Sequence, residues 1–443
     1  MGDSQLGLQE AMAYYAGDDP IQGGKVWLDT LFGMGGLMFE LLPGYDCPIY
    51  ASYLDAKYHR DESTSIRKNS ICLFEYTSDA PLQRHTSEFY VTVSRNTYFV
   101  VRFISTVGNY DYTFDYIFYL DGSIEVKVRA SGYISAAYWP DSSTQKVGKR
   151  YEYGYRVHDQ LATSMHDHVL NFKVDMDING TANTLMRVGI EPTTKSYKWE
   201  TGSGPRNSMH LTQQPLTREK GLNWPPNGAE MFILYNTNST NKWGEPRGYQ
   251  IRPGTGMGNP IHSTISDTVI TEQTAAWSTH DLWALKQHDT EPRSASAWNW
   301  IFPSSPLVDF SKFVNDEAIL QEDIVLYVNL GGHHIPTTQD IPNTHMHTSS
   351  SSFMLIPHNF FDRDPSRKSA QGVKLELESD GNHTVRYYGG HYAINETVVV
   401  DSEGGGEAVL EADLKLYSAT RNPVRKFPWN QTVGGGGVGF GWV

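Results

Sequence analysis

The chain is expected to fold as an all-β protein, a large antiparallel β-sandwich with long loops and few short helices, and three observations predict it. Aromatic residues reach 12% of the sequence, and such side chains suit half-buried pleated surfaces. Apolar and polar residues alternate in one run after another, the period-2 signature of strands. Helical periodicity is convincing almost nowhere. In chain order, EFYVTVSRNTYFVVRFISTV alternates and is rich in β-branched and aromatic residues, as a strand requires. YIFYL and IEVKVRA flank Asp121-Gly122, a hairpin signal because both central residues tolerate positive φ. VLNFKVDMDI, AEMFILYN, DIVLYVNL and SFMLIPHNFF continue the series, and SKFVNDEAILQE is the best short helix candidate. Residues 203–228 and 252–262, rich in Gly, Pro and Asn, read as surface loops. From about Gly404 glycine patches mark a tail or arm, residues 404–443. With no internal repeat and no clean linker, residues 1–443 read as a single domain of two packed sheets.

Acidic residues outnumber basic ones by 50 to 36, a net charge of −14. That balance, without a Lys/Arg stripe, argues against nucleic acid as a partner and favours the approach of small cations. No apolar run approaches the roughly 18 residues a membrane helix needs; YFVVRFISTV is interrupted by Arg102. The opening MGDSQLGLQEAMAYYAGDDP has neither the basic stretch nor the apolar core of a signal peptide. Nor does Gly2 have the Ser or Thr at position 6 that myristoylation requires, so an export signal would lie outside this chain. The two cysteines, Cys47 and Cys72, fit either free buried thiols or one disulfide. Sequons at Asn179, Asn238, Asn382, Asn395 and Asn430 tilt that choice towards a disulfide and an oxidising compartment.

Several stretches carry chemistry. In TVGNYDY, Tyr110 stands between Asn109 and Asp111; taken alone, Tyr110 and Tyr112 are core aromatics of a strand. SMHDHVLNFKVDMDI sets His166 and His168 two apart, so on a strand both imidazoles share a face, as two metal ligands must. THMHT repeats the spacing at His345 and His347, and NLGGHHIP offers His333 and His334 as third ligands. Three imidazoles suit copper, zinc, iron or nickel, and spacing alone does not choose among them.

Taken together, these stretches resemble the catalytic domain of the copper-containing, quinone-dependent amine oxidases. TVGNYDY is similar to that family's cofactor motif, Thr-x-x-Asn-Tyr-(Asp/Glu)-Tyr. The resemblance implies that Tyr110 is the precursor of topaquinone, whose carbonyl takes the substrate amine as a Schiff base, with Asn109 and Asp111 flanking and restraining the ring. His166 and His168 resemble the paired copper(II) ligands. GGHHIPTTQDIPNT resembles the segment carrying the third, which as the histidine before Ile-Pro is His334 and not His333. His345 and His347 then fall beyond the site. YYAGDDPIQGGKVWLDTLFGMGG resembles the stretch bearing the catalytic base, here Asp29 as proton acceptor, with Tyr15 matching a tyrosine that hydrogen-bonds the quinone. Asp29 suits that role once burial raises its pKa, and Trp27, Leu28, Leu31 and Phe32 are the neighbours to supply it.

The resemblance also pairs Cys47 with Cys72 as the family's internal disulfide. It implies calcium at Asp175, Asp177 and Asp323 with the carbonyls of Met176 and Ile324, an oxygen-only set of the kind a hard cation requires. A second, peripheral calcium site would take Glu219, Glu291, the Phe313 carbonyl and Asn315. The five motifs occur in order between about residue 10 and residue 365, and beyond NFFDRDPS the likeness fades. The smaller domains that precede this one in the family are absent from the chain. The activity that the resemblance implies is oxidative deamination of a primary amine by O2, giving an aldehyde, hydrogen peroxide and ammonia. The enzyme would be a homodimer, secreted or else peroxisomal. Two other functions use the same residues: a zinc or iron hydrolase, which leaves Tyr110 and Asp29 unexplained, and a non-catalytic secreted binding sandwich derived from such an enzyme.

Overall fold

The computed structural model describes residues 5–17, 25–28, 34–60, 62–139, 153–199, 202, 204–225, 227–254, 274–302, 304–368, 372–377, 382–388 and 398–400. They form two compact units. The first takes the described residues up to Leu42, then Tyr53–Glu75 and Tyr98–Ser366; the second takes Pro43–Ser52, Tyr76–Thr97 and the described residues after Ser366.

Seven strands of the first unit position the site: β1 (Gln5–Tyr15), β2 (Thr97–Val107), β3 (Tyr110–Phe118), β4 (Ile124–Gly132), β5 (His166–Asp175), β6 (Ile324–His334) and β7 (Ser350–His358). A six-stranded sheet runs Lys220–Leu222, Leu282–Lys286, β6, β5, β1, Lys25–Leu28. A ten-stranded sheet runs Arg206–Pro215, Thr184–Lys195, Glu230–Thr240, Pro246–Pro253, β7, β4, β3, β2, Ser63–Thr77, Ser52–Arg60. The site-bearing pairs β1–β5, β5–β6, β2–β3, β3–β4 and β4–β7 are all antiparallel.

The two sheets share one core. Leu170, Phe172 and Val174 of β5 and Leu326, Val328 and Leu330 of β6 meet Tyr112 and Phe114 of β3, Val126 and Val128 of β4, and Phe353 and Leu355 of β7. Each such side chain contributes on the order of 1.5–3 kcal/mol by leaving water. The opposite face of the six-stranded sheet is covered as well, by Trp277 and Phe310 over Met12, Val169, Val325 and Tyr327. All of β5 is therefore buried, its polar residues His166, Asp167, His168, Asn171, Lys173 and Asp175 included.

Four local expectations change. EFYVTVSRNTYFVVRFISTV is two strands, Tyr90–Ser94 and β2, broken at Arg95-Asn96. The Asp121-Gly122 hairpin forms, but only Gly122 takes positive φ, 89°; the Asp121 carboxylate instead accepts the Ser123 N–H at 2.9 Å. SKFVNDEAILQE is not a helix beyond the short 3-10 turn Phe310–Lys312. Asp316 and Gln321 sit at φ 65° and 56°, and the Asn315 and Glu317 N–H groups donate to the Glu219 carboxylate rather than along a helix. The expected loop 203–228 contains the strand Arg206–Pro215, exposed along nearly its whole length. Lacking a buried face, it leaves no alternation to read. Residues 255–262 and 404–443 lie outside the described residues.

The second unit carries a five-stranded sheet, Val398–Val400, His383–Tyr388, Gly372–Leu377, Tyr90–Ser94, Gln83–Thr86. Cys47 and Cys72 are disulfide-bonded. No helix among the described residues is long and apolar enough to cross a membrane.

Candidate metal and cofactor centre

Tyr110 is placed by a turn. Val107 pairs with Tyr110 across a two-residue connection, Gly108-Asn109, and Gly108 has φ 59°. A positive φ at the first central position is what a type II′ hairpin demands, and glycine supplies it without strain. From there alternation sends Tyr110, Tyr112 and Phe114 into the core, with Asp111 on the other face. Asp111 accepts the Thr106 hydroxyl across the hairpin at 2.6 Å. It faces away from the Tyr110 ring and does not restrain it, contrary to expectation.

The three imidazoles come from two neighbouring strands. β5 and β6 pair His166 with His334, and His168 lies two residues along β5. One ring nitrogen from each falls within 4.8 Å of the others. The Tyr110 hydroxyl, itself buried, lies 3.2 Å from both His166 Nε2 and His334 Nδ1.

The outer hydrogen bonds select the inward nitrogens. His166 Nδ1 is 2.8 Å from the Ser164 carbonyl, which can only accept, so Nδ1 carries the proton and Nε2 presents its lone pair. His334 Nε2 donates to Asp340 Oδ1 at 3.0 Å, leaving Nδ1 inward. His168 Nδ1 meets the Tyr112 hydroxyl at 2.9 Å, while its buried Nε2 has no hydrogen-bond partner. A buried polar nitrogen without a partner is costly, and a metal ion is the partner this one fits. Burial pushes His166 down to about 4 and His168 well below its ordinary value, so both are neutral, the form that ligates. The donor set fits a transition metal of the copper or zinc kind.

Around this centre, Tyr15 stacks on His166 with ring centroids 4.6 Å apart and donates to Asn109 Oδ1 at 3.3 Å. Asn109 Nδ2 donates to the Tyr133 carbonyl at 2.6 Å, so the turn beside Tyr110 is braced from two sides. Burial raises the Tyr110 phenol above its ordinary value, against the opposing influence of the Thr344 hydroxyl. Asp29 lies outside the described residues. His333 is turned to the other face, where it pairs with Asp167 at 2.5 Å. His345 and His347 stack on each other at 5.5 Å and are exposed.

Sequence reasoning missed Asp340 and Tyr112 as supports of the ligands. Asp340 accepts from the Thr337 N–H at 2.8 Å and the Thr344 hydroxyl at 3.0 Å as well as from His334. Burial acts to raise its carboxyl, but the Thr337 N–H, the His334 ring and the Thr344 hydroxyl together hold it below the ordinary carboxylate range. The only signal was a carboxylate six residues after a candidate ligand.

At the far end of the same strand pair, Asp175, Asp177 and Asp323 bring carboxylate oxygens within 4.8 Å of one another. Burial first, then Asp323 and Asp177, lift the Asp175 carboxyl to about 6 against the pull of Lys173. Met176 and Ile324, the expected carbonyl donors, adjoin these carboxylates at the ends of β5 and β6. Of the expected peripheral set, Glu219 accepts the backbone N–H groups of Lys286, Asn315 and Glu317, so it already anchors two other segments. The Phe313 N–H closes the 3-10 turn onto Phe310. Burial raises the Glu291 carboxyl, with His288 opposing and Glu219 and Glu317 adding to the rise.

A family model described as copper amine oxidase, enzyme domain, matches residues 4–376. The copper amine oxidase vicK1 of Bipolaris victoriae (strain FI3) is 43% identical over 380 residues, covering 85% of this chain and 52% of that protein. The copper-containing amine oxidase 3 of Bos taurus is 35% identical over 383 residues, covering 85% of this chain and 48% of its own. The crystal structure of Aspergillus nidulans amine oxidase is similar with a TM-score of 0.81 at 42% identity, covering 93% of this chain and 53% of that one. The chain spans about half the length of these relatives. With the family match running over residues 4–376 of its 443, the chain belongs to the copper amine oxidase family.

Proposed function

We propose that this chain is the catalytic part of a primary-amine oxidase, in which His166, His168 and His334 hold copper(II) and Tyr110 is the precursor of topaquinone. The observation that carries this is the Tyr110 hydroxyl lying 3.2 Å from both His166 Nε2 and His334 Nδ1, where two imidazole lone pairs converge. Copper and topaquinone supply the electrophilic carbonyl and the electron acceptance that no ordinary side chain has. The balance over one turnover is a primary amine, O2 and water going to an aldehyde, ammonia and hydrogen peroxide.

The chain's own residues set the conditions. Burial keeps His166 and His168 neutral at physiological pH, so they offer lone pairs instead of charge. The Ser164 carbonyl and the Asp340 carboxylate hold the outer protons of His166 and His334. Tyr15 and Asn109 brace the turn next to the Tyr110 ring. Asp29 takes the proton α to the amine nitrogen, a role supported by its place in the family's motif. Asp175, Asp177 and Asp323, with the Met176 and Ile324 carbonyls, hold calcium.

The first unit, whose later segments are Tyr53–Glu75 and Tyr98–Ser366, forms the catalytic sandwich, and the protein is a homodimer. The hairpin of Thr184–Lys195 and Arg206–Pro215, with Met209 and Leu211 exposed, supports a reach towards a second subunit. The Cys47–Cys72 disulfide supports an oxidising compartment outside the cell.

Phenylhydrazine titration of aerobically purified, copper-loaded protein tests the proposal. One coloured adduct per chain is expected. Tyr110→Phe should fold, bind copper, form no adduct and release no peroxide from a primary amine. Peroxide release by Tyr110→Phe at the wild-type rate sinks it.

A further inference from the structure

We propose that Gly331 and Ser351 are positioning residues for His168, forming a clamp between the two sheets that fixes where its imidazole presents Nε2. The inference rests on the reading of His166, His168 and His334 as the copper site.

Gly331 stands opposite Val169, one step from the His168–Gly332 pair. Its φ is 145°, in the region that side-chain-bearing residues rarely adopt. A Cβ built there would lie 1.7 Å from the His168 carbonyl oxygen and 3.2 Å from Val169 Cα. All three of the nearest atoms are backbone of β5, with nothing flexible to give way, so the approach of β6 to the His168 peptide exists only because residue 331 is glycine. A Cβ on the neighbouring Gly332 would have nothing within 4 Å, so the requirement belongs to one glycine and not to the pair.

The close approach is held as well as permitted. The Gly331 N–H donates to Ser351 Oγ at 3.0 Å. Ser351 belongs to β7, in the other sheet, paired with Val128 of β4, and is 4% exposed. A buried serine hydroxyl thus reaches across the sandwich to the residue whose missing Cβ makes room for the His168 carbonyl. Among the described residues no carboxylate meets the His168 ring: Tyr112 holds Nδ1, and Nε2 has no hydrogen-bond partner. Tyr112 sets how the ring is turned, and the backbone that the clamp holds sets where the ring starts from. The same arrangement gives a reason for NLGGHHIP to place Gly331 three residues before His334.

The test compares copper affinity by equilibrium dialysis and the copper EPR spectrum at full occupancy. The proteins are wild type, Ser351→Ala, Ser351→Thr, Gly331→Ala, Gly332→Ala and His168→Ala. Loss of an outer partner of a metal ligand typically costs about 10–100-fold in affinity. Ser351 holds a peptide beside the ligand and not the ligand itself. Ser351→Ala should therefore bind copper more weakly by no more than the lower end of that range, about 10-fold, with altered hyperfine splitting, and Ser351→Thr, which keeps the hydroxyl, should restore both. Gly332→Ala should match wild type, while Gly331→Ala should bind worst. Ser351→Ala removes only a hydroxyl, so the test survives if Gly331→Ala fails to fold. A Ser351→Ala protein with wild-type affinity and spectrum overturns the proposal, even if its unfolding midpoint falls. Wild-type copper binding by His168→Ala would instead overturn the site itself.

Discussion

Three imidazoles and a phenol are brought together by hydrogen bonds that each do one job, and single substitutions should separate them. Asp340→Asn keeps a carbonyl oxygen for His334, and with it the tautomer, but removes the charge that makes the ring a stronger donor to the metal. Copper affinity is expected to fall about 10-fold, readable by competition with a chromogenic chelator. Tyr112→Phe leaves the buried His168 Nδ1 without its partner, a loss of about 1–3 kcal/mol in denaturant unfolding of the metal-free protein. His166, depressed to about 4, contributes stability that is whole above its ordinary value and is lost as pH falls towards 4. Protons should therefore displace copper only near that pH. Asp175, raised to about 6, behaves oppositely in the cation-free protein: its contribution is whole below the ordinary carboxylate value and is lost as pH rises through 6. Calcium needs the ionised form, so its affinity should climb over that same interval, and lowering the pH should release calcium well before copper. Isothermal titration at pH 5 and 7.5 checks the sign.

Whether sequence could reveal an element depended on whether that element has a buried face. β3, β5, β6 and β7 were legible because alternation or continuous apolarity marks them, and the His-x-His spacing then followed from the pleat. Arg206–Pro215 was not, since a strand held by its ladder alone shows no side-chain period. SKFVNDEAILQE misled because Glu219, distant in sequence, captures its N–H groups. Asp340 was hidden for the same reason: six residues of irregular chain separate it from His334, and no periodicity spans them. The turn before β3 offers an element-scale prediction. Gly108 has φ 59° and nothing within 4 Å of a Cβ, so Gly108→Ala meets no clash and costs only the left-handed penalty. That is about 1–2 kcal/mol, measurable as a lower urea midpoint, with Gly108→Asn expected to lose less.

At the scale of the molecule, two packed sheets bury a strand pair that carries a metal-ligating set at each end, roughly 30 Å apart by strand rise. The sequence as a whole carries an acidic surplus, a net charge of −14. Cationic amines should be drawn in, so kcat/KM for a diamine is expected to fall as ionic strength rises, while kcat stays level. A kcat/KM independent of salt would show that the field does not reach the entrance.

The Tyr110 hydroxyl meets His166 and His334 from 56 and 224 positions earlier in the chain. At ribosomal speeds of about 5–20 residues per second, the last partner emerges on the order of 10–50 s after the tyrosine. For the first quarter of that interval the nascent chain holds the phenol alone, and for the rest the phenol with two of the imidazoles, but never a complete cage. Tyr110 therefore cannot meet all three imidazoles until translation has passed residue 334.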